Sequence, residues 1–105
     1  MSRHEEVLLR TADVLVRVLF LGPGDAVPWH AHTEVEDLVV CLSGRIEVRH
    51  RNPDEVAVLS PGERTRTESG RAHQVSNPDT SDSSYLLIQG VGTYDFLPEP
   101  DENPK

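Results

Sequence analysis

Two histidines spaced two residues apart and followed by acidic residues are the strongest chemical signal in this sequence. His30 and His32 precede Glu34, Glu36 and Asp37. In an extended strand, residues two apart project from the same face, with Cβ atoms about 7 Å apart. Imidazole nitrogens at that spacing can converge on one metal ion, and a neighbouring carboxylate is a ligand that first-row divalent metals accept. The segment therefore predicts a metal site.

Strand geometry alone does not decide which of the three acids is the ligand. By alternation, Glu34 and Glu36 share the face of His32, whereas Asp37 lies on the opposite face. A bend or bulge between Thr33 and Glu36 would reverse that parity and turn Asp37 inward. All three carboxylates, and a site without a carboxylate ligand, stay open on this reasoning.

Short apolar segments between turn-forming residues predict the strands that must position these side chains. No window longer than ten residues shows helical periodicity, and eight to ten short strands favour a small β-sandwich or barrel. Ser43-Gly44 joins two of the segments and predicts a hairpin between them. The predicted strands are Val7–Thr11, Val14–Leu21, the histidine segment, Leu38–Leu42, Arg45–Arg51, Val56–Leu59, Thr65–Thr67, Ala72–Ser76 and Tyr85–Gln89, with Thr93–Leu97 as a continuation.

A third histidine, His73, follows His32 across at least four predicted strands, and a closed antiparallel barrel could bring it back to the first two. With His73, two stretches of the chain resemble the two motifs of the cupin family. The first is Gly24-x5-His30-x-His32-x4-Asp37-x6-Gly44, and the second is Gly62-x5-Glu68-x-Gly70-x2-His73-x3-Asn77. Asp37 stands where the family usually has Glu, and Glu68 stands where it usually has Pro.

The resemblance implies an all-β fold, the double-stranded β-helix or jelly-roll barrel, around one divalent transition metal ion (iron, manganese, nickel or zinc). It implies that His30, His32, Asp37 and His73 are the ligands, because the motif spacing selects Asp37 over Glu36 and Glu34. Dioxygenase and isomerase reactions are the family's commonest chemistry. We therefore expect metal-assisted chemistry on a small polar metabolite. The alternative is a non-catalytic cupin that binds a small ligand, with or without metal.

Length and charge limit the classes of function. The 105 residues suffice for one domain, which we predict over residues 1–97, with a disordered, acidic and Pro-rich tail over 98–105. A net charge of −8 argues against nucleic acid as a partner and against anionic membrane surfaces. The polar start, the lack of a long apolar run and the single cysteine predict a cytoplasmic protein that binds no membrane. The apolar first segment, Val7–Leu21, predicts a homodimer in which one edge strand extends the sheet of a second copy.

Several other residues carry weaker expectations. Cys41 lies in an apolar run and is expected to be a buried hydrophobe. Trp29 is expected to face away from His30 and to serve packing or a subunit contact. Glu68 is expected to face solvent, although it could also add charge at the mouth of the barrel.

Two further histidines and one arginine are set apart from the predicted ligands. His4 and His50 are expected to be structural or exposed, the latter because Arg49 and Arg51 would repel a metal. Arg71 is expected at a solvated edge, with recognition of a ligand carboxylate as the alternative. For the strand Tyr85–Gln89 the sequence leaves open which set of alternating side chains lines the barrel.

Overall fold

The structure, a computed structural model, describes residues 4–90 and 96–100. The described residues form ten β-strands and no helix, so none of them builds a helical segment long and apolar enough to cross a membrane. The strands are β1 (His4–Arg10), β2 (Leu15–Leu21), β3 (Ala26–Ala31), β4 (Glu36–Ser43), β5 (Ile46–His50), β6 (Glu55–Leu59), β7 (Arg64–Thr67), β8 (His73–Ser76), β9 (Ser83–Gly90) and β10 (Leu97–Pro98).

Two five-stranded sheets face each other. Sheet 1 has the order β1-β2-β9-β4-β7 and sheet 2 the order β10-β3-β8-β5-β6, and the paired strands described are antiparallel. Successive strands alternate between the sheets over much of the chain, which is the arrangement of a double-stranded β-helix. The predicted all-β jelly-roll fold is confirmed.

The core lies between the two sheets. Alternate side chains of each central strand are buried there because strand residues two apart share a face. Burial of one such aliphatic side chain stabilises the fold by about 1.5–3 kcal/mol. The cluster comprises Leu19, Leu21, Val39, Cys41, Ile46, Val48, Leu59, Val75, Tyr85 and Leu87.

The predicted hairpin between the fourth and fifth strands is wrong. β4 pairs with β7 and β9 in sheet 1, whereas β5 pairs with β6 and β8 in sheet 2. Gly44, with φ of +66°, lies in the link between them. The alternating pattern of β5 correctly predicted one buried face, but it holds no information about which strand lies alongside. The chain crosses to the other sheet so that Ile46 and Val48 face the core from the second side.

A buried asparagine joins the loops that follow β2 and β8. The Nδ2 group of Asn77 donates to the carbonyl oxygens of Leu21, Gly22 and Ser81, at 2.7–3.2 Å. Because these bonds tie the end of β2 to the loop after β8, they hold the two sheets in a fixed relation at this end.

The two ends of the described chain lie on opposite sheets. β1 is the edge of sheet 1, and all seven of its residues are exposed. β10 pairs with β3, and the amide of Glu99 donates to the carbonyl of Trp29. Pro98 and Glu99 of the predicted tail are thus bonded to sheet 2, while residues 101–105 and most of the predicted continuation at 93–97 lie outside the described residues.

Candidate metal centre

The four predicted ligands meet at one point inside the barrel. One nitrogen from each histidine and one oxygen from the carboxylate all lie within 4.8 Å of one another, and the four side chains are buried. His30 in β3 and His73 in β8 are direct cross-strand partners. Asp37 reaches the same point from β4 in the opposite sheet. The fold therefore brings together residues that lie far apart in the sequence.

A bend after β3 turns Asp37 inward. His32 follows β3 directly, residues 33 and 34 form the bend, and β4 begins at Glu36 in the other sheet. The amide of Gly70 donates to the carbonyl of His32 at 2.6 Å, which attaches the bend to the loop before β8. Because the chain changes sheets here, strand alternation does not carry across, and the parity that favoured Glu34 and Glu36 does not apply.

The other two acids point away from the cluster. Glu36 is partly exposed and forms an ion pair with Arg66 at 3.5 Å, while Glu34 is exposed. Among the three acids considered as ligands, Asp37 alone belongs to the cluster. Its side chain is 3% exposed.

Backbone carbonyl groups fix the orientation of two imidazole rings. Nδ1 of His30 lies 2.7 Å from the carbonyl oxygen of Pro28, and Nδ1 of His73 lies 3.0 Å from that of Arg71. A carbonyl oxygen only accepts hydrogen bonds, so each Nδ1 must be the donor. Each ring therefore keeps Nε2 for the cluster, as metal-bound histidines do when their second nitrogen donates to a carbonyl.

The donor set of the cluster needs a cation. Nε2 of His73 lies 2.9 Å from Oδ2 of Asp37, and Nε2 of His32 lies 3.3 Å from the same oxygen. With its Nδ1 proton given to a carbonyl, a neutral His73 would direct a lone pair at an anionic oxygen. Either a proton or a metal ion must lie between these atoms. Three imidazoles and one carboxylate match the preferences of iron, manganese, nickel and zinc, so the residues present fit such an ion.

Gln89 connects the cluster to an arginine. Its amide nitrogen lies 2.9 Å from Oδ1 of Asp37 and 3.2 Å from Nε2 of His32. Its carbonyl oxygen accepts a hydrogen bond from Nη2 of Arg17. Oδ1 of Asp37 is thus oriented by an amide donor, which leaves Oδ2 facing His32 and His73.

Burial and neighbouring charges shift the protonation of the cluster. Desolvation, and after it the positive charge of His73, lowers the pKa of His30 to about 4. Burial alone would raise the pKa of Asp37. Hydrogen bonds with His32 and His73, and the charge of those rings, outweigh it and hold that pKa well below its usual range. At neutral pH the site therefore presents an ionised carboxylate and an unprotonated His30, the forms that bind metal.

A cavity of about 440 Å³ opens from the cluster and is large enough for a small metabolite. Phe96 stacks on His30 with ring centroids 4.2 Å apart and lies on one side of the opening. Its polar lining residues are the cluster His30, His32 and Asp37, together with His4, Glu5, Arg17 and Gln89. The apolar wall consists of Leu19, Val27, Pro28, Val75, Tyr85, Leu87 and Phe96.

The two histidines that were not predicted as ligands, His4 and His50, lie in different environments. His4 is exposed, as expected, and stacks on Phe20; it lines the cavity but is not one of the four clustered residues. His50 is buried and bonds to Thr67 at 2.5 Å, and burial followed by the charge of Arg71 lowers its pKa. Its ring centroid is 6.2 Å from that of His73, and it is not one of the four clustered residues. The expectation of a structural role for His50 agrees with this position.

Arg71 is not the solvated edge arginine that we expected. Its side chain is 12% exposed, and its guanidinium donates to the carbonyl oxygens of Arg51 and Pro53 and to Glu55. It holds the turn between β5 and β6, and its own carbonyl orients His73. Glu68 is exposed, as expected, and lies 3.7 Å from Arg71.

Three other expectations concern side-chain direction. Trp29 faces away from the cavity and packs under the guanidinium of Arg51, 3.9 Å from the ring centroid. Cys41 is fully buried in the core, and burial raises its pKa. On β9, Tyr85 and Gln89 face inward, together with Leu87.

Two polar residues of the cavity are not identified as site residues by the sequence. The direction of Gln89 stays open there, and Arg17 belongs to no motif. The sequence nevertheless contains a sign that Arg17 faces the cavity: it lies on β2 midway between Leu15 and Leu19, on the face of the strand that points inward. A charged residue at such a position is an exception that calls for a polar partner inside the barrel.

Comparisons with known proteins agree with the fold. A family model described as "Cupin domain" matches residues 17–89. A conserved protein with a double-stranded β-helix domain from Klebsiella pneumoniae superposes with a TM-score of 0.83 at 23% identity, over 95% of this chain and 81% of that one. A protein from Thermus thermophilus gives 0.79 at 24% identity, over 86% and 84%.

A structure of oxalate oxidase in complex with glycolate also superposes, with a TM-score of 0.80 at 16% identity, over 91% of this chain and 54% of that one. Structural likeness at these identities shows the fold alone. A comparison with curated protein sequences found no match.

Proposed function

This chain belongs to the cupin domain family, and we propose that it binds one divalent transition metal and acts on a small polar metabolite. The reaction would be of the dioxygenase or isomerase type. The ligands would be His30, His32, Asp37 and His73. When bound, such a metal supplies Lewis acidity or, if it is redox-active, reactivity towards dioxygen.

One observation carries the proposal. Nε2 of His73 and Oδ2 of Asp37 lie 2.9 Å apart, while Nδ1 of His73 is committed to the carbonyl of Arg71. Two groups that both accept hydrogen bonds are stable at this distance inside a barrel only with a proton or a metal ion between them, and the three imidazoles around the carboxylate favour the metal ion. The lowered pKa of His30, caused by burial and then by His73, keeps that ring free of a competing proton at neutral pH.

The remaining residues of the cavity would bind and shield the metabolite. Phe96 and the apolar wall exclude water from one side of the cluster. Gln89 donates to Asp37 and would keep that carboxylate oriented. No separate general base is assigned: among the described residues that line the cavity outside the cluster, Glu5 is ion-paired with Arg17, and His4 is exposed and stacked on Phe20.

The test is metal uptake by the purified, metal-free protein. Titration with Co²⁺, followed by visible absorption and elemental analysis, should give one ion per chain. His30→Ala should abolish uptake while the far-UV spectrum stays that of a β protein. His4→Ala, which changes an exposed histidine at the rim, is the matched control and should bind as the parent does. Equal uptake by both variants would count against this site.

A second candidate is a non-catalytic cupin that binds a small ligand. It is favoured by one observation: Gln89 donates to Asp37 and lies 3.2 Å from Nε2 of His32, so a proton between His73 and Asp37 is enough to complete a connected hydrogen-bond network without a metal ion. A protein that refuses added Co²⁺, Fe²⁺ and Mn²⁺ but still binds a small molecule in the cavity would select this candidate.

A further inference from the structure

An arginine projects into the cavity from a strand whose other inward residues are leucines. On β2, Leu15, Leu19 and Leu21 are 4%, 8% and 1% exposed and face the interior. Arg17 belongs to the same alternation, and its side chain is 12% exposed. An inward guanidinium is costly to desolvate, so its presence calls for an anionic or strongly polar partner.

Two described contacts hold this guanidinium in place. Nη2 donates to the carbonyl oxygen of Gln89, and Nη1 lies 2.9 Å from Oε1 of Glu5. The two contacts differ in how easily they can be broken. Gln89 is 1% exposed and bonded to the histidine cluster, whereas the side chain of Glu5 is 49% exposed and belongs to the exposed edge strand β1. Glu5 can therefore move into water at little cost.

Arg17 is also the only arginine or lysine among the described residues that line the cavity. The chain has a net charge of −8, which repels anions from the protein as a whole. A cavity in such a protein needs a local cation if it is to receive an acid. The guanidinium provides one, with paired donors that match a carboxylate.

The position of Arg17 relative to the histidines sets the length of the ligand. The carboxamide of Gln89 bridges the two, since its oxygen accepts from Arg17 and its nitrogen lies 3.2 Å from Nε2 of His32. One planar group of a few atoms therefore separates the guanidinium from the cluster. If the carboxylate of a ligand binds Arg17, an oxygen substituent on the carbon next to that carboxylate would face the histidines.

We infer that the ligand is a small hydroxy- or keto-carboxylic acid with an apolar body. In this arrangement, Arg17 binds the carboxylate in place of Glu5, and the second oxygen faces the histidine cluster. The apolar remainder packs on Leu19, Leu87 and Phe96. The inference rests on the proposed function and adds the class of substrate and the residue that selects it.

The experiment uses Zn²⁺-loaded protein, so that binding is measured without turnover. Lactate and mandelate are compared with lactamide and mandelamide by isothermal titration calorimetry. The parent protein should bind the acids about 10-fold or more tightly than the amides, the effect of one charge-assisted pair. Arg17→Gln should remove that preference, and Arg66→Gln, at an exposed arginine on the outside of sheet 1, should keep it.

Glu5→Gln should change the affinity for acids in the opposite direction to Arg17→Gln. If Glu5 occupies the place of the ligand carboxylate, its neutralisation should strengthen binding of both acids and leave binding of the amides unchanged. A variant that merely damaged the fold would not produce this gain. Acid binding that is unaffected by both Arg17→Gln and Glu5→Gln, or acids that bind no better than amides, would overturn the inference.

Metal content separates this inference from the proposed function. Each variant is analysed for zinc before titration, and Arg17→Gln should retain one ion per chain because Arg17 is not among the clustered ligands. A protein that takes up no zinc contradicts the proposed function. The acid-to-amide ratio of metal-free protein then still tests Arg17, because the guanidinium acts on the carboxylate and not on the metal.

Discussion

His73 and Asp37 come from opposite sheets, yet Nε2 of His73 lies 2.9 Å from Oδ2 of Asp37. The contact spans the barrel interior, and both side chains are buried. Because the second nitrogen of the ring is bound to the carbonyl of Arg71, the pair is balanced only by a proton or a metal ion. The proposed metal site depends on this contact between the two sheets.

Removing the charge of Asp37 should weaken metal binding. Asp37→Asn keeps the size of the side chain but replaces one oxygen with an amide that is a poor ligand. Loss of a residue that only orients a ligand typically weakens metal binding about 10–100-fold. Because Asp37 is itself a proposed ligand, we expect the dissociation constant for Co²⁺ to rise by more than that. The measurement is a competition titration against a chelator of known affinity.

Glu36→Gln is the matched control for this substitution. Glu36 is the neighbouring acid and lies outside the cluster, in an ion pair with Arg66. Its neutralisation should leave the dissociation constant unchanged. A larger effect at Glu36 than at Asp37 would contradict the assignment of the acidic ligand.

The metal-free protein should lose stability as the pH falls from 6.5 towards 4. Burial, and then the charge of His73, lowers the pKa of His30 from 6.5 to about 4, so the unfolded chain takes up this proton first. The free energy of unfolding therefore falls with pH in this window, by up to about 3 kcal/mol for this group. Burial and the charge of Arg71 lower the pKa of His50 and add a loss of the same sign.

Urea denaturation at steps across the same window measures this loss. His30→Gln should flatten the dependence, since glutamine does not titrate. The contribution of Asp37 should not interfere, because its pKa is lowered from 3.8 and its stabilisation is lost only below that pH. A free energy of unfolding that rises as the pH falls through the window would contradict the prediction.

Gly44→Ala should destabilise the link between β4 and β5. Gly44 has a φ of +66°, and a Cβ there would lie 2.8 Å from both the carbonyl oxygen of Asp82 and Cβ of Ser83. The left-handed conformation alone costs a residue with a Cβ about 1–2 kcal/mol. The collision with backbone should add about 1–3 kcal/mol.

Gly24→Ala separates the two effects. Gly24 has a φ of +73°, but a Cβ added there would meet no atom within 4 Å. This variant should show the conformational cost alone in thermal or chemical denaturation. Equal losses at Gly24 and Gly44 would mean that the loop before β9 yields to the added methyl group.

We expect the chain to form a homodimer through β1. This strand is the edge of sheet 1, and its apolar residues Val7, Leu8 and Leu9 are 45%, 53% and 52% exposed. A second copy running antiparallel would satisfy the open strand edge.

Light scattering coupled to size exclusion should give twice the chain mass. Leu8→Lys should shift the protein to a monomer, because it places a charge in the proposed interface. Val56→Lys changes a residue of similar exposure, 54%, on the edge strand of the other sheet and should leave the dimer intact. A monomeric parent protein, or dissociation by Val56→Lys alone, would refute this interface.

The resemblance of two stretches to the cupin motifs was sufficient to predict that His30, His32 and His73 converge, whereas spacing alone does not bring His73 to the other two. The apolar alternation was sufficient to predict a barrel without helices, because it depends on a residue and its near neighbours along the chain. The same alternation could not show that β4 and β5 belong to different sheets. Pairing is a long-range choice that depends on which faces must be covered together.

The choice of Asp37 over Glu36 shows where sequence-based prediction ends and tertiary structure decides. The sequence alone established that an acid follows the two histidines, but its direction depends on the bend at residues 33 and 34, where the chain changes sheets. Likewise, only the folded barrel brings Arg17 and Gln89 next to the cluster from β2 and β9. Side-chain direction across a sheet change is decided by packing between distant strands, which the order of residues does not encode locally.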